Sequence, residues 1–291
     1  VANERTGTIS FLQRIALVGT VIVLVAVGES TSATTAGATA SALPFRGHGS
    51  IGQAYATGAP PGTHLHVLSG SGATVGSGVV DRLGSLVVRN LAAGPGYRFA
   101  EGAGSGARTT AAFSVLSPSS STPSARFYAS QQLHSGLNYV RMRDGILLAA
   151  TVRLPPGKTL ADGPFPTVIE YSGYNVAGPH SLIDALEGGA PSNDPLLPDT
   201  STVVGSVVAP LLGFATVSVQ MRGTGCSGGA FDLFGLPSDY DGYDIVQTVG
   251  AQPWVLNHKV GMVGISYSGF SQLVVAGTDP PDLAAITPLS P

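Results

Sequence analysis

Between Phe45 and Val115 the chain alternates short apolar or β-branched pieces with residues that turn a backbone. His64-Leu65-His66-Val67-Leu68, Gly78-Val79-Val80, Ser85-Leu86-Val87-Val88 and Tyr97-Arg98-Phe99 are the strand pieces. Pro60-Pro61-Gly62, Asp81-Arg82 and Gly94-Pro95-Gly96 punctuate them. Strands at this close spacing predict a small immunoglobulin-like β-sandwich over residues 43–116. His64 and His66 share a strand face, but no Cys or carboxylate neighbour completes a metal ligand set, so a half-exposed pair is expected. Residues 117–126 hold the run Ser117–Ser124 (SPSSSTPS), too polar to pack and too rich in proline for helix or central strand, and read as a linker.

From residue 127 the pattern changes. Tyr139–Arg143 and Ile146–Leu154 flank Asp144-Gly145, which predicts a two-residue type I′ hairpin. Pro166–Tyr171 and Gly213–Met221 are buried strand candidates, and Asp239–Ala251 has helical spacing. Val260–Ile265 is a short apolar strand, Tyr267–Gly277 a helix, and Ala284–Pro288 a strand again. A hairpin followed by alternating strands and helices predicts an α/β layer architecture with a mostly parallel sheet over residues 127–291.

The first 42 residues form a third pattern. Arg5 and Arg14 precede the apolar run Ile15–Val27, and a small polar stretch ends at Ala40-Ser41-Ala42. A positive start, a short apolar centre and an A-x-A site describe a secretory signal peptide, giving an exported, secreted or envelope-associated protein that begins near Leu43. The rival is a membrane anchor, but spanning needs about 20 apolar residues and this run is shorter. No stable span is expected after cleavage.

Composition narrows the function classes. Of the 291 residues 43 % are hydrophobic and 11 % charged, which permits a buried core and excludes a highly charged disordered chain. The net charge of −3, without a block of Lys or Arg, gives no footprint for nucleic acid. The single cysteine, Cys226, excludes an intrachain disulfide and reads as a loop thiol.

Two serines compete as a nucleophile. The pattern G-x-S-x-G selects Ser227, within Gly225-Cys226-Ser227-Gly228-Gly229. The physical requirement is a sharp turn from a buried strand into a helix, with small neighbours that let the two approach. Ser266, in Gly264-Ile265-Ser266-Tyr267-Ser268-Gly269, has that context, whereas Ser227 is followed by a glycine-rich loop. Ser266 is therefore the candidate nucleophile; the bland alternative is a buried helix N-cap. A serine needs a histidine base oriented by a carboxylate, in the chain order Ser, Asp or Glu, His. All six histidines (His48, His64, His66, His134, His180, His258) precede Ser266, and Asp279 and Asp282 follow it too closely. The triad acid and base are expected beyond Pro291, and residues 1–291 alone are expected to be inactive.

Val140–Ala149, Gly163–Val168, Arg222–Gly229, Asp241–Asp244, Ala251–Trp254 and Val260–Gly269 are blocks in a fixed order. Together they resemble the Xaa-Pro dipeptidyl-peptidase (S15) family, which includes cocaine-esterase-like and α-amino-acid ester hydrolases. The resemblance implies an α/β-hydrolase core, here ending after the elbow helix and its following strand, with a cap and a jelly roll beyond. It implies Ser266 as nucleophile, the Tyr267 backbone N–H in an oxyanion hole, and a tyrosine hydroxyl as second donor. Tyr174 stands at that place, although Gly173 and Asn175 depart from the family's Pro-Tyr-Asp; its alternative is a packed strand-end tyrosine. Arg222 and Asp241 are expected to pair, and Trp254 to anchor the core. The expected function is an exported serine hydrolase acting on a small ester or Xaa-Pro-type peptide, with no metal or organic cofactor. An amino-acid ester hydrolase or β-lactam acylase, and a secreted non-catalytic binding protein of hydrolase fold, stay open.

Overall fold

The computed structural model describes residues 42–102, 104–174 and 204–291. The signal-peptide reading therefore lies, save for Ala42, outside the described residues, as do Asn175 and His180. Among the described residues no helix is long and apolar enough to cross a membrane.

The first part is built from two antiparallel sheets. β1 (Arg46–Ser50), β2 (Gln53–Thr57) and β5 (Leu86–Arg89) pair in the order β1-β2-β5. β3 (His64–Leu68), β4 (Thr74–Val79), β6 (Gly94–Glu101) and β7 (Arg108–Thr109) pair in the order β4-β3-β6-β7, and β8 (Phe113–Val115) also pairs with β6. Alternation sets the faces: Leu65 and Val67 are buried with Ala54, Ala56 and Phe99 in one core, while the His64 and His66 rings lie side by side on the other face of β3. Among the described residues no group of three metal-ligating side chains forms.

The second part has its own core and a six-stranded mixed sheet among the described residues. β9 (Gly136–Arg141), β10 (Leu147–Arg153), β11 (Phe165–Ser172), β12 (Ala215–Gln220), β13 (Val255–Ile265) and β14 (Leu283–Leu289) run in the order β14-β13-β11-β12-β10-β9. The β12-β11-β13-β14 pairs are parallel; β9 and β10 are antiparallel. Every residue of β12 is buried, as expected for a strand covered on both faces. Among the described residues the α-helices are α1 (Ala125–Ala129), α2 (Val204–Leu211), α3 (Leu236–Gly250) and α4 (Tyr267–Ala276). Ile245, Val246 and Val249 of α3 and Val275 of α4 share the core with Val260 and Met262. The two helices touch so closely that a Cβ on Gly242 would lie 2.1 Å from Val275. Trp254 is buried at the foot of β13, where its carbonyl accepts from the Phe165 N–H at 2.7 Å.

Two sequence expectations are corrected here. The β9–β10 connection is a three-residue loop, not a type I′ turn. Met142 N–H donates to Ile146 O, Gly145 N–H donates to Met142 O, and of the loop residues Gly145 alone has positive φ, 89°. A type I turn closed by a left-handed glycine satisfies the same Asp-Gly pair, and it turns the Asp144 carboxylate inward. Helix α3 begins at Leu236 rather than Asp239, because Pro237 sits in the first turn, where its missing N–H costs nothing.

Buried charges join the two parts, which fall within one contact unit, residues 40–291. Arg222 is 1 % exposed and reaches three partners. Its Nε and Nη2 donate to Asp241 at 2.7 and 2.6 Å, Nη2 lies 3.0 Å from Asp144, and Nη1 donates to Ser50 Oγ at 3.3 Å. The Ser50 hydroxyl, from β1, in turn donates to Asp144 at 2.5 Å. Nearby, Asp244 accepts from Arg143 and from the buried Tyr128 hydroxyl at 2.8 Å, fixing α1 and the hairpin to α3. Removing one partner of such a cluster leaves uncompensated buried charge. Arg222→Met is expected to cost about 3–5 kcal/mol, read from the urea midpoint of the full chain. A loss below about 1 kcal/mol would show that the cluster does not hold the parts together.

Candidate active site

Strand β13 ends at Ile265 and helix α4 starts at Tyr267, so one residue makes the whole bend. Ser266 does so at φ 59° and ψ −121°, a conformation costly for any residue with a Cβ. Backbone contacts hold it there. Its N–H donates to Leu289 O on β14 at 2.9 Å, and its carbonyl accepts from Gly269 and Phe270 at 2.9 and 2.8 Å, opening the helix. Small neighbours make the bend possible. A Cβ on Gly264 would lie 2.5 Å from Ser268 Oγ, and one on Gly269 would lie 2.6 Å from Leu289 O. Ser268 is fully buried beneath the turn; its hydroxyl accepts from the Ile265 N–H at 3.0 Å and lies within donating distance of Ile265 O and Glu170.

The Ser266 side chain is exposed above this frame. Tyr174, just past β11, brings its hydroxyl to 3.1 Å from Ser266 Oγ. The Ser172 hydroxyl accepts from the Tyr174 N–H at 3.0 Å and fixes the approach. Gly173, where the family pattern has proline, has a local reason: a Cβ there would lie 2.8 Å from the Tyr267 ring. Tyr267 opens α4, so its N–H has no intrahelical acceptor. The Tyr174 and Tyr267 rings meet edge to face, centroids 6.1 Å apart. The structure thus brings Ser266, Tyr267 and Tyr174 to one point.

Ser227 has a different place. Its hydroxyl accepts from the Ala149 N–H at 2.9 Å and donates to Gln220 O at 2.7 Å, tying the loop after β12 to β10. Both hydrogen-bonding roles are spent on backbone, so the strict motif marks a structural serine. Cys226 beside it is exposed. Among the described residues no histidine hydrogen-bonds to Ser266; His258 lies toward the opposite end of β13, with Nδ1 2.8 Å from Gly250 O.

Sequence reasoning missed an aromatic rim beside the site. Phe234 packs edge to face on Tyr267 and Phe270, at centroid distances of 6.1 and 4.7 Å, and Phe231 lies against Gly173. The available signal was a run of four apolar residues, Phe231, Leu233 and Phe234 in the loop and Leu236 at the start of α3; they are 45–59 % exposed. Burial near this rim pushes the Asp239 carboxyl up to about 6 and raises the Tyr267 hydroxyl above its ordinary value, so Tyr267 stays neutral.

The X-Pro dipeptidyl-peptidase (S15 family) profile matches residues 144–291. No curated protein matches. Among solved structures, a CocE/NonD family hydrolase from Staphylococcus aureus is 26 % identical, with a TM-score of 0.40, over 53 % of this chain and 26 % of its own. An α-amino acid ester hydrolase is also 26 % identical, with a TM-score of 0.40, over 52 % of this chain and 24 % of its own. The chain spans about a quarter of the length of these structures.

The raised carboxyl makes stability depend on pH. From its ordinary 3.8 up to about 6, folded Asp239 keeps a proton that the unfolded chain releases, so stability is lost as pH rises through that window. Asp239→Asn is expected to gain stability at pH 7 but little at pH 4, measured by urea unfolding at both. An equal effect at the two pH values would contradict it.

Proposed function

The chain belongs to the X-Pro dipeptidyl-peptidase (S15) family, and from that premise we propose that it carries the nucleophile of a serine hydrolase. It cleaves an ester or Xaa-Pro-type peptide bond through an acyl-enzyme on Ser266. The observation that carries this reading is the exposed serine at a strained strand-to-helix turn with a tyrosine hydroxyl 3.1 Å away.

In this mechanism Ser266 Oγ attacks the substrate carbonyl carbon and its proton passes to a histidine outside the described residues. The carbonyl π electrons move onto oxygen, and the oxyanion takes hydrogen bonds from the Tyr267 N–H and the Tyr174 O–H. The C–O or C–N bond to the leaving group then breaks, and the group departs with the proton from the histidine. Water repeats the sequence on the acyl-enzyme and frees Ser266. One donor opens α4 and the other follows β11, where Ser172 accepts from the Tyr174 N–H, so little reorganisation accompanies charge formation. No metal or organic cofactor enters this chemistry.

We place the protein outside the cytoplasm, secreted or attached to the envelope; the support is the Arg14, Ile15–Val27 and Ala40–Ala42 pattern. We also read residues 43–116 as immunoglobulin-like. The support is the Tyr97 hydroxyl, which donates to Ala92 O at 2.7 Å from the start of β6, as a tyrosine corner does.

The test is a fluorophosphonate probe and p-nitrophenyl ester turnover on the full-length protein. Ser266→Ala is expected to abolish both, Ser227→Ala to spare both, and Tyr174→Phe to lower kcat by about 10²–10³ with little change in KM. Labelling that survives Ser266→Ala would overturn the assignment. A full-length protein that neither labels nor turns over would favour the non-catalytic binding protein instead.

A further inference from the structure

Strand pairing leaves a gap at the site. Among the described residues the ladder pairs between β11 and β13 begin with Phe165 opposite Val255 and end with Ile169 opposite Met262. β11 stays paired with β12 as far as Ser172 opposite Gln220, and β13 with β14 as far as Ile265 opposite Leu289. At this end the sheet therefore divides, β12 with β11 on one side and β13 with β14 on the other. One side leads into Tyr174 and the other into Ser266, whose oxygens lie 3.1 Å apart. The ladder does not set that distance.

Helix α4 spans the division with polar side chains where a packed helix ordinarily carries apolar ones. Ser268, Ser271 and Gln272 are at most 1 % exposed. The Ser271 hydroxyl donates to Tyr171 O on β11 at 2.7 Å, and Gln272 Nε2 and Oε1 meet Thr287 O and N–H on β14 at 3.3 and 2.8 Å. Ser268 lies under the turn itself. It accepts from the Ile265 N–H, and its hydroxyl reaches Glu170 Oε1 on β11 at 3.2 Å. Glu170 is fully buried. Alternation turns it to the opposite face of β11 from Ile169 and Tyr171, beneath α2, where a Cβ on Gly205 would lie 3.4 Å from Oε2. Ser268 takes the place of the second glycine in G-x-S-x-G. Glycine would fit there, but it has no hydroxyl with which to cross the gap.

We infer that Glu170 and Ser268 are positioning residues: they fix the Tyr174 hydroxyl relative to Ser266 by pinning β11 to the underside of the turn. This rests on the Ser266 reading above and deepens it. Neither residue touches substrate. The pin joins the strand that leads into one oxyanion donor to the helix that opens with the other. Two donors that serve one oxyanion must keep their spacing to within about 0.5 Å. Without the pin the Tyr267 N–H stays in place, because Ser266 remains bonded to Leu289 and to the first turn of α4, while the Tyr174 side is free to drift. The loss falls on the transition state, where the hydroxyl is needed, and not on substrate binding.

The test is a double-mutant cycle in the full-length protein, read as turnover of p-nitrophenyl acetate. Ser268→Ala is expected to lower kcat by about 10–10²-fold with KM unchanged. Glu170→Leu is expected to match it, and Glu170→Gln, which keeps an acceptor oxygen, to recover most of the loss. In a Tyr174→Phe background no hydroxyl is left to misplace, so Ser268→Ala is expected to lower kcat by less than about threefold further. A fold weakened in general by losing a buried hydrogen bond would give the same factor in both backgrounds, and that result would overturn the inference. So would a rise in KM with kcat unchanged, or full activity in Ser268→Ala. Should Glu170→Leu fail to fold, Ser268→Ala and its cycle with Tyr174→Phe still decide. If Ser266→Ala leaves hydrolysis intact, the nucleophile reading falls and this inference with it. If Ser266→Ala abolishes hydrolysis and the cycle is additive, the inference alone falls.

Discussion

Strand β13 and helix α4 meet across a single residue, and the rest of the site depends on how closely they are allowed to approach. Gly264, Ser268 and Gly269 leave no room for larger side chains, since the Leu289 carbonyl and the Ser268 hydroxyl occupy that space. Closure of this gap drives Ser266 into a backbone conformation it would not choose, and β14 holds it there through the Leu289 carbonyl. The exposed hydroxyl and the N–H at the start of α4 that has no intrahelical acceptor are consequences of that one bend. Tyr174 reaches the same point because β11 is the parallel neighbour of β13 and ends beside it.

Around this bend the molecule is tied by buried charge as much as by apolar packing. Two separate cores, one among the N-terminal sheets and one in the α/β part, would leave their mutual orientation weakly specified. Arg222 with Asp241, Asp144 and Ser50 sets it, and Arg89 with Asp232 adds a contact at the rim of the site. Such clusters contribute little net stability compared with apolar residues of similar volume, but breaking one partner is expensive. Their value here is geometric: each joins a turn near the site to an element at a distance.

What could be read from sequence divides along the range of the interaction. The elbow was legible because its requirements are local: an apolar strand, small residues at 264, 268 and 269, and a periodic helix follow each other directly. The same reasoning set Ser227 aside although it satisfies the formal motif, and its hydroxyl is found bonded to two backbone groups. Tyr174 needed the family resemblance, since nothing local says which strand end faces β13. The contacts between the two parts left no pattern at all, because Ser50 and Asp144 are 94 positions apart and Arg89 and Asp232 are 143 apart. The hairpin at Asp144-Gly145 was misread in detail for the same reason: its turn type follows from where Asp144 points, and Arg222 decides that.

The central claim is that the strained serine of the bend, not the serine of the formal motif, is the reacting atom. It is tested most directly by trapping the full-length protein with an ester that deacylates slowly, digesting it, and locating the acyl group by mass spectrometry. The account predicts a single acyl adduct on Ser266. An adduct on Ser227 or Cys226, with Ser266 unmodified, would contradict it.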